Sequence, residues 1–409
     1  MARSVVGCEA DARDRISQLP VKILDHIMGL LPIREAARTA VLSKVWRDVW
    51  FSFTHLCFDN LFFSYFHGKY MKPSDDLGEY SCLYAINKVL LHHKGSIRKF
   101  VFLHSRVERL TVGSLSFHMP KWLLLVTRKG VEEIELHLRG EAYELPVCLF
   151  SCSTLTRLHL CSLSIEPLSS PCTLPNVTYL IFERVCFGIR SLPNCVVDAP
   201  KLKNLSFLYC EDVFHFNITA RNLCTLRING FYGSKLGIFL PANLDLNSIS
   251  TLIIDTRILE YFLGRYTAKQ FMLQLPSLNV EQLSLRFLCF QHDVAASAFA
   301  CLLCKCPKLC HLEICFLWVG DRNKCIDATS KHLKKLRSVA RTHKMLLSLK
   351  LSYFDGSWFQ MHFIQEMLAC LPALENVVID GNGLNKEPEA MEEISRFPRA
   401  SAKATIVFQ

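Results

Sequence analysis

The sequence predicts an α/β protein in which a short helical segment precedes a long array of strand-forming repeats. Helix-spaced apolar residues and prolines crowd into residues 14–50, DRISQLPVKILDHIMGLLPIREAARTAVLSKVWRDVW. A pattern of three apolar positions then recurs between residues 97 and 379. Because a single unit of this size cannot bury its own apolar face, such recurrence predicts stacked repeats that share one core.

The N-terminal segment predicts three short helices. Pro20 suits a first helical turn, where its missing N–H has no partner to lose, and Pro32 ends the helix that it follows. A second helix would cover roughly 33–41, and Ser43 would cap a third that carries Trp46 and Trp50 on one stripe. A segment this short buries too little surface to stand alone, so its surplus of apolar residues predicts a docking module.

These residues resemble the F-box domain. The pattern of that domain is present as Leu19-Pro20 and Val41-Leu42-Ser43-Lys44-Val45-Trp46, and the plant form's second tryptophan and apolar-acidic run as Trp50 and Leu56-Cys57-Phe58-Asp59. The resemblance implies docking onto the Skp-type adaptor of a cullin-based ubiquitin ligase; an ordinary helical hairpin packed on the next domain is the alternative. The residues expected to contact the adaptor or to shape the contact surface are Leu19, Pro20, Ile23, Leu24, Ile27, Leu31, Pro32, Val41, Leu42 and Trp46.

Each repeat is an apolar residue, two variable residues and an apolar-variable-apolar triplet. Successive copies are about 21 to 37 residues apart, around the range of leucine-rich repeats, and their alternation marks a short strand in each copy. Unrelated buried strands in an α/β domain are the alternative. The copies are Ile97/Phe100/Phe102, Val131/Ile134/Leu136, Leu155/Leu158/Leu160, Val177/Leu180/Phe182, Leu202/Leu205/Phe207, Leu223/Leu226/Ile228, Ile249/Leu252/Ile254, Val280/Leu283/Leu285, Leu309/Leu312/Ile314, Leu346/Leu349/Leu351 and Leu374/Val377/Ile379.

The repeats depart from the standard leucine-rich unit, which places Asn or Cys nine residues in to satisfy the turn after the strand. That position here holds Leu163, Val185, Cys210, Phe231, Leu288 and Leu317, with Asn at Asn382. The turns must then be satisfied by other means, which predicts an irregular solenoid. The repeats resemble the degenerate ones of plant F-box proteins, and residues 359–409 resemble the FBD region that ends many of them and can act as a terminal cap.

These resemblances imply an α/β chain with an F-box at 12–58, a helical linker at 59–96, leucine-rich repeats at 97–358 and an FBD-like region at 359–409. Residues 79–93 predict a helix, and the turn-prone 72–78 a hinge. Target selection is expected on the outward strand positions between the paired apolar residues, with Ile181 and Ile253 as candidate anchors. Cover of these two isoleucines by a neighbouring loop is the alternative. The target-binding candidates are His159, Ile181, Ser206, Arg227, Ile253, Ser284, Glu313 and Lys350.

Composition excludes several classes of protein. No run approaches 18 apolar residues, and the first fifteen residues lack the apolar core of a signal peptide, so we expect neither a membrane span nor export. The 19 cysteines then predict reduced, buried packing in the nucleus and/or cytoplasm. A net charge of +10 permits weak nucleic-acid affinity but does not identify it. The basic stretch 331–344 predicts an amphipathic helix with solvated Lys and Arg.

Other constellations predict structure rather than chemistry. Cys301, Cys304, Cys306, Cys310 and His311 are residue types that bind zinc, but a second spaced pair is missing and the run spans a helix and a strand. The glycine-rich 230–237 matches no nucleotide-binding loop, and no nucleophile elbow or metalloprotease motif occurs. We expect no catalytic residue, no metal site and no cofactor.

The sequence therefore predicts a non-enzymatic, substrate-recognition subunit of a Skp–cullin–F-box ubiquitin ligase. Its partners would be the adaptor and cullin complex and a target protein that the sequence does not identify. The alternatives are a leucine-rich-repeat scaffold that works without a cullin and a weak nucleic-acid-binding protein. Co-purification with the adaptor would distinguish the ligase subunit from the scaffold. A strongly salt-dependent affinity for nucleic acid would favour the nucleic-acid-binding protein.

Overall fold

A computed structural model of the protein describes residues 14–69, 77–104, 112–138, 146–165, 172–187, 195–211, 213, 216–230, 244–256, 277–288, 293–317, 334, 336–381 and 388–409. The chain divides into two compact units, Met1–Asp198 and Ala199–Gln409. Both units alternate strands with helices or turns, as the sequence predicts for an α/β repeat protein. No helix in these ranges is long and apolar enough to cross a membrane.

The first unit begins with helices and continues with a parallel sheet in the order β1-β2-β3-β4-β7. Shorter parallel pairs join β5 to β8 and β6 to β9. Its helices are α1 (Val21–Gly29), α2 (Ile33–Thr39), α3 (Lys44–Phe51), α4 (Asn60–Lys69), α5 (Leu77–His92) and α6 (Val112–Arg128), with a 3-10 turn at Val147–Leu149. Its strands are β1 (His55–Phe58), β2 (Lys99–His104), β3 (Glu133–Leu138), β4 (Arg157–Cys161), β5 (Ser164–Ile165), β6 (Cys172–Thr173), β7 (Tyr179–Glu183), β8 (Cys186–Phe187) and β9 (Cys195–Asp198).

The strands of the second unit pair in parallel in the order β10-β12-β13-β14-β15-β16-β17-β18. Its strands are β10 (Asn204–Leu208), β11 (Phe216–Thr219), β12 (Thr225–Asn229), β13 (Thr251–Asp255), β14 (Gln282–Leu288), β15 (His311–Phe316), β16 (Ser348–Ser352), β17 (Asn376–Asp380) and β18 (Thr405–Phe408). Its helices are α7 (Asp293–Lys305), α8 (Trp358–Cys370) and α9 (Pro388–Ser395). The predicted FBD-like region, residues 359–409, thus ends with β17, α9 and β18.

Every predicted repeat motif forms a strand, and the two apolar residues of its triplet pack into the core. Equivalent positions pair across neighbouring strands, as Leu158 does with Leu180 and Leu160 with Phe182. The first apolar residue of the motif is buried as well, for example Leu155 and Val177 at 0 % exposure. Because the motif repeats its register, the inward side chains of one strand stack on those of the next and bury a continuous apolar layer.

The turns after the strands are satisfied by backbone bonds. Ser162, Arg184, Tyr209 and Tyr353 each follow the last residue of a strand and have φ between 50 and 60°, a left-handed conformation uncommon for non-glycine residues. The N–H of Ser162 donates to the carbonyl of Glu183 (2.8 Å) and that of Tyr209 to the carbonyl of Asn229 (2.9 Å). The turns at Ser162 and Tyr209 are therefore bonded to the end of the neighbouring strand in the sheet, and they need no Asn after the strand.

Asparagine side chains form hydrogen bonds before the strand rather than after it. Asn176, Asn222 and Asn279 each lie three residues ahead of a strand. Their side-chain amides donate to the carbonyls of Ser153 (2.7 Å), Pro200 (2.7 Å) and Asn247 (2.9 Å) in the preceding repeats. These bonds satisfy loop carbonyls that no strand partner reaches, and so tie one repeat to the next.

The N-terminal helices are fastened to the first strand through side chains. The carboxylate of Asp25 in α1 accepts from the N–H of Thr54 (3.0 Å) and from its hydroxyl (2.6 Å), immediately before β1. Nε2 of buried His93 donates to the carbonyl of Phe53 (2.8 Å), and Lys129 donates to the carbonyl of His93 (2.9 Å). These bonds hold α1, α5 and the end of α6 against the start of the sheet.

The observed bounds correct several predictions. The second predicted helix ends at Thr39 rather than near residue 41. The predicted hinge 72–78 lies mostly outside the described residues, and its last two, Leu77 and Gly78, already belong to α5. Helix α6 was not predicted. It contains Pro120 in its interior, where proline removes a helical hydrogen bond, and burial of Met119, Leu123 and Val126 outweighs that cost. The glycine-rich loop 231–237, Asn382, Lys331 and Lys335 lie outside the described residues.

We predict that Thr54→Val destabilises the protein by about 1.5–3 kcal/mol, because it removes a hydrogen bond to a partly buried carboxylate. Thr156→Val is the matched control, since the hydroxyl of Thr156 donates to the neutral carbonyl of Glu132 (2.9 Å) and its loss should cost about 0.5–1.5 kcal/mol. Urea denaturation of both variants measures the difference. Equal losses in the two would show that the Asp25 contact is not a special fastening point.

Candidate functional site

The N-terminal helices leave an unusual number of large apolar side chains in solvent. Val41 is 86 % exposed, Leu30 74 % and Leu42 67 %, although a folded chain buries most residues of this kind. We call this set the docking surface. Its members are Ile16, Leu19, Val21, Ile23, Leu30, Leu31, Val41, Leu42 and Val45.

The predicted adaptor-binding residues fall into two groups. Those available for contact are Leu19, Pro20, Ile23, Leu31, Pro32, Val41 and Leu42, which are exposed, and Ile27, which is half-buried. Leu24 and Trp46 are 0 % and 6 % exposed, so they cannot be primary contacts as the molecule stands. They shape the surface from beneath, because they belong to the small core between α1 and α3.

The core under the docking surface explains why its apolar residues remain outside. Leu24, Met28, Ala36, Trp46 and Val49 fill the space between the short helices. The hydroxyl of Ser43 accepts from the N–H of Trp46 (3.3 Å) and caps α3, as predicted from its position. With the interior filled, the part of the chain that the structure describes offers further apolar residues on helices of this length no place to pack.

A cavity of about 790 Å³ adjoins this surface between the N-terminal helices and α5. Exposed Val41 forms part of its wall, with Trp50 and Val89 as further apolar lining. Lys44, Arg47, Lys88 and His92 lie at the same cavity. The exposed apolar surface between α2 and α3 therefore continues into a concave region with basic residues around it.

In the second unit, the predicted target-binding residues form one row across the sheet. Strand register pairs Ser206 with Arg227, Arg227 with Ile253, and Ile253 with Ser284. The row continues from Ser284 to Glu313 and on to Lys350. Residues at equal positions on parallel strands share a face, so these six side chains lie on the side opposite the apolar core.

The side chains in this row differ in availability. Lys350 is exposed, and Ser206, Arg227, Ile253 and Glu313 are half-buried. Ser284 is buried, and its hydroxyl donates to Oε2 of Glu313 (2.8 Å), so it supports Glu313 rather than offering surface of its own. Nζ of Lys350 lies 3.5 Å from Oε1 of Glu313. Both carboxylate oxygens of Glu313 are thus held in place by neighbours in the row.

In the first unit, the corresponding face is more strongly charged. His159 pairs in register with Ile181 on β7 and with Glu135 on β3. Oε1 of Glu135 lies 3.1 Å from Nε2 of His137 and 3.4 Å from Nδ1 of His159, and these two nitrogens are 3.4 Å apart. Nε2 of His159 lies 3.7 Å from Oε2 of Glu183. We call these four residues the histidine–glutamate cluster.

The mutual contacts of the cluster shift its pKa values. Hydrogen bonds from His137 and His159 hold the pKa of Glu135 far below its usual range. Burial lowers the pKa of His159, but the carboxylates of Glu135 and Glu183 outweigh burial and raise it to about 9. The pKa of Glu183 is lowered by the contact with His159. His159, predicted as a target-binding residue, therefore carries a positive charge between two carboxylates when nothing else is bound.

The sequence did not predict that Glu135, His137 and Glu183 would join His159. The signal was present, because aligning the repeat motifs puts residue 135 opposite 159, and 137 and 159 both fall on outward positions. The metal site that the sequence suggested, and that we predicted to be absent, was the cysteine run 301–311 instead. In that run Cys301 and Cys306 are buried, whereas Cys304 and His311 are exposed.

Comparison with known proteins gives two matches to family profiles. Residues 16–57 match the F-box domain, and residues 119–239 match the leucine-rich repeats of an FBD-associated F-box protein. The first match covers α1, α2, α3 and nearly all of β1, and therefore the whole docking surface. The second covers β3, β4, β7, β10 and β12, which carry His159, Ile181, Ser206 and Arg227.

Individual relatives support the same assignment. The chain is 25 % identical over 442 aligned residues to an F-box/FBD/LRR-repeat protein of Arabidopsis thaliana, covering 97 % of this chain and 99 % of that protein. It is 37 % identical over 151 residues to an F-box/LRR-repeat protein of the same plant, covering 27 % of that protein. A second F-box/FBD/LRR-repeat protein is 27 % identical over 209 residues, and 42 % of its length is covered. The last two matches thus span less than half of those relatives.

We predict that Trp46→Ala destabilises the protein by about 3–5 kcal/mol, since it leaves a cavity among the N-terminal helices. Leu42→Ala should change stability by less than about 0.5 kcal/mol, because Leu42 is exposed and has few contacts to lose. Thermal denaturation of the two purified variants tests this contrast. A large loss for Leu42→Ala would mean that the docking surface is covered by the chain itself.

Proposed function

Because the chain carries an F-box joined to the leucine-rich repeats of FBD-associated F-box proteins, we propose that it is the substrate-recognition adaptor of a Skp–cullin–F-box ubiquitin ligase. The observation that carries this proposal is the docking surface of exposed leucine, isoleucine and valine residues. Its occupant would be the Skp-type adaptor, which links the chain to the cullin. The outward strand faces would then select a target protein.

The junction between the two regions supports this division of labour. Strand β1 contains the last residues of the F-box match and pairs in parallel with β2, the first repeat strand. The Asp25–Thr54 and His93–Phe53 hydrogen bonds fix the helices beside it. A rigid connection of this kind would hold a bound target at a defined place relative to the docked adaptor. Catalysis would follow from raised effective concentration at the ubiquitin-conjugating enzyme.

We propose further that the chain itself does not transfer ubiquitin. A thioester intermediate needs a cysteine whose pKa is lowered. Burial instead raises the pKa of Cys57 to about 11 and that of Cys306 to about 12. Among the described residues, the cysteines are free thiols, and many of them are buried. Such packing suits the nucleus and/or cytoplasm, which is our proposed location.

For the docking surface, we predict that Val41→Asp and Leu42→Asp each reduce adaptor binding at least tenfold without unfolding the protein. Each introduces a charge into an apolar interface, where it would be desolvated without a partner. The measurement is the dissociation constant for a purified Skp-type adaptor. Leu91→Asp is the matched control, because Leu91 is 75 % exposed on α5, outside the F-box match. Unchanged adaptor binding in both test variants would contradict the proposed docking site.

For the strand face, we predict that Ile253→Asp and Arg227→Glu reduce target capture while adaptor binding and folding stay unchanged. Ile253 supplies apolar contact, whereas Arg227 supplies charge complementarity and so discriminates between targets. Quantitative proximity labelling in cells, with each variant in place of the wild type, measures capture. Met345→Asp is the control, since Met345 is 57 % exposed and lies outside the strands. Wild-type capture by both variants would move recognition to the loops or the C-terminal region.

A further inference from the structure

The histidine–glutamate cluster brings metal-ligand chemistry to the outward face of the first unit. Glu135 and His137 are two residues apart on β3, and Glu135 is opposite His159 on β4. Their inward neighbours Ile134, Leu136 and Leu158 are buried in the core. Alternation along the strands therefore places the carboxylate and both imidazoles on the same side of the sheet, supported by a rigid apolar layer.

The three donor atoms form a nearly equilateral triangle. Its edges are 3.1 Å from Glu135 Oε1 to His137 Nε2, 3.4 Å from Glu135 Oε1 to His159 Nδ1, and 3.4 Å between the two nitrogens. A tetrahedral Zn²⁺ ion with bonds of about 2.0–2.1 Å holds neighbouring donors about 3.3–3.4 Å apart. The triangle thus has the size of one face of such a coordination shell. Among the described residues, no other His, Cys, Asp and Glu group has its donor atoms gathered for a metal ion.

Glu183 occupies the position of an outer partner. Nδ1 of His159 is one corner of the triangle, and the other ring nitrogen, Nε2, lies 3.7 Å from Oε2 of Glu183. A histidine that binds a metal through one nitrogen usually presents the other to a carboxylate, directly or through water. That partner fixes the orientation of the ring and strengthens it as a ligand. Glu183 is in turn held by Arg184, 3.4 Å from its other oxygen.

We propose that Glu135, His137 and His159 bind a divalent transition-metal ion, with Zn²⁺ the best fit, and that Glu183 orients His159. Two neutral imidazoles and one carboxylate are a donor set that suits this ion, so binding displaces to solvent the proton that His159 otherwise carries. The side chains of Glu135, His137 and His159 are 33 %, 28 % and 23 % exposed, so an ion can enter from solvent. Three protein donors leave the fourth tetrahedral position open on this face.

The inference does not depend on the proposed ligase function. An ion-pair network without metal is the competing explanation of the same contacts. In such a network each imidazole bonds to the carboxylate, and Nε2 of His137 and Nδ1 of His159, 3.4 Å apart, share a hydrogen bond of their own. A metal ion accounts for the same three distances by drawing all its donors to one point, and metal titration of the purified chain separates the two explanations.

The test uses the full-length purified chain, freed of metal with a chelator and kept under reducing conditions. We expect it to bind about one equivalent of Co²⁺ with the intense visible absorption of a tetrahedral site, and Zn²⁺ to displace the Co²⁺. The spectrum should lack the near-ultraviolet charge-transfer band of thiolate ligands, which separates this site from binding by the 19 cysteines. A strong thiolate band, or no tetrahedral spectrum at all, would overturn the proposal.

Variants locate the site. His137→Gln combined with His159→Gln should abolish the tetrahedral spectrum, and Glu183→Gln should weaken Zn²⁺ binding by about 10–100-fold. His311→Gln is the matched control, since His311 is an exposed strand histidine in the second unit, and it should leave binding unchanged. Circular dichroism checks that each variant is folded. Wild-type binding in the folded double variant would contradict the assignment as decisively as would an absence of binding in the wild type.

Discussion

The constraint on which the rest of this structure depends is the repeated parallel register of its strands. Each repeat contributes one short strand, and equal positions of successive motifs pair along each unit's sheet. A slip of one residue would send every core leucine to the outward face and every outward side chain into the core. The buried apolar residues of the repeats therefore fix more than the core. They also decide which polar residues of separate repeats become neighbours.

The N-terminal helices depend on the same register. They contain too few residues to bury all of their apolar side chains, and they gain support by contributing β1 as the first strand of the sheet. The carboxylate of Asp25 and the ring of His93 then join the helices to the backbone around Thr54. Gly95 lies so close to Ser52 that a Cβ there would come within 3.1 Å of its backbone. Close packing at this junction makes the docking surface part of the first unit rather than a flexible appendage.

The two units use this framework for different chemistry on their outward strand faces. The second unit presents an arginine, an isoleucine and a Ser284–Glu313–Lys350 network in one row. The first unit presents the histidine–glutamate cluster, with an ion-paired row of Lys99, Glu133 and Arg157 beside it. Because the inward residues are nearly uniform, the outward ones can differ from repeat to repeat without disturbing the core. That freedom is what a surface for selecting partners requires.

The sequence by itself determined the class of fold, the strand in each repeat and the apolar excess of the N-terminal helices. These follow from local periodicity, since alternation and helical spacing are properties of residues close together in the chain. It also assigned the outward side of each strand correctly, because that follows from the same alternation. Bonding between segments was decided by tertiary structure. Tertiary packing is the reason that helix α6 forms despite Pro120. It also explains why Ser284 is buried beside Glu313 and why Leu24 and Trp46 lie beneath the docking surface. The meeting of Glu135, His137, His159 and Glu183 arises in the same way, because distances between side chains on three strands depend on register and rotamer together, and neither is a local property of the chain.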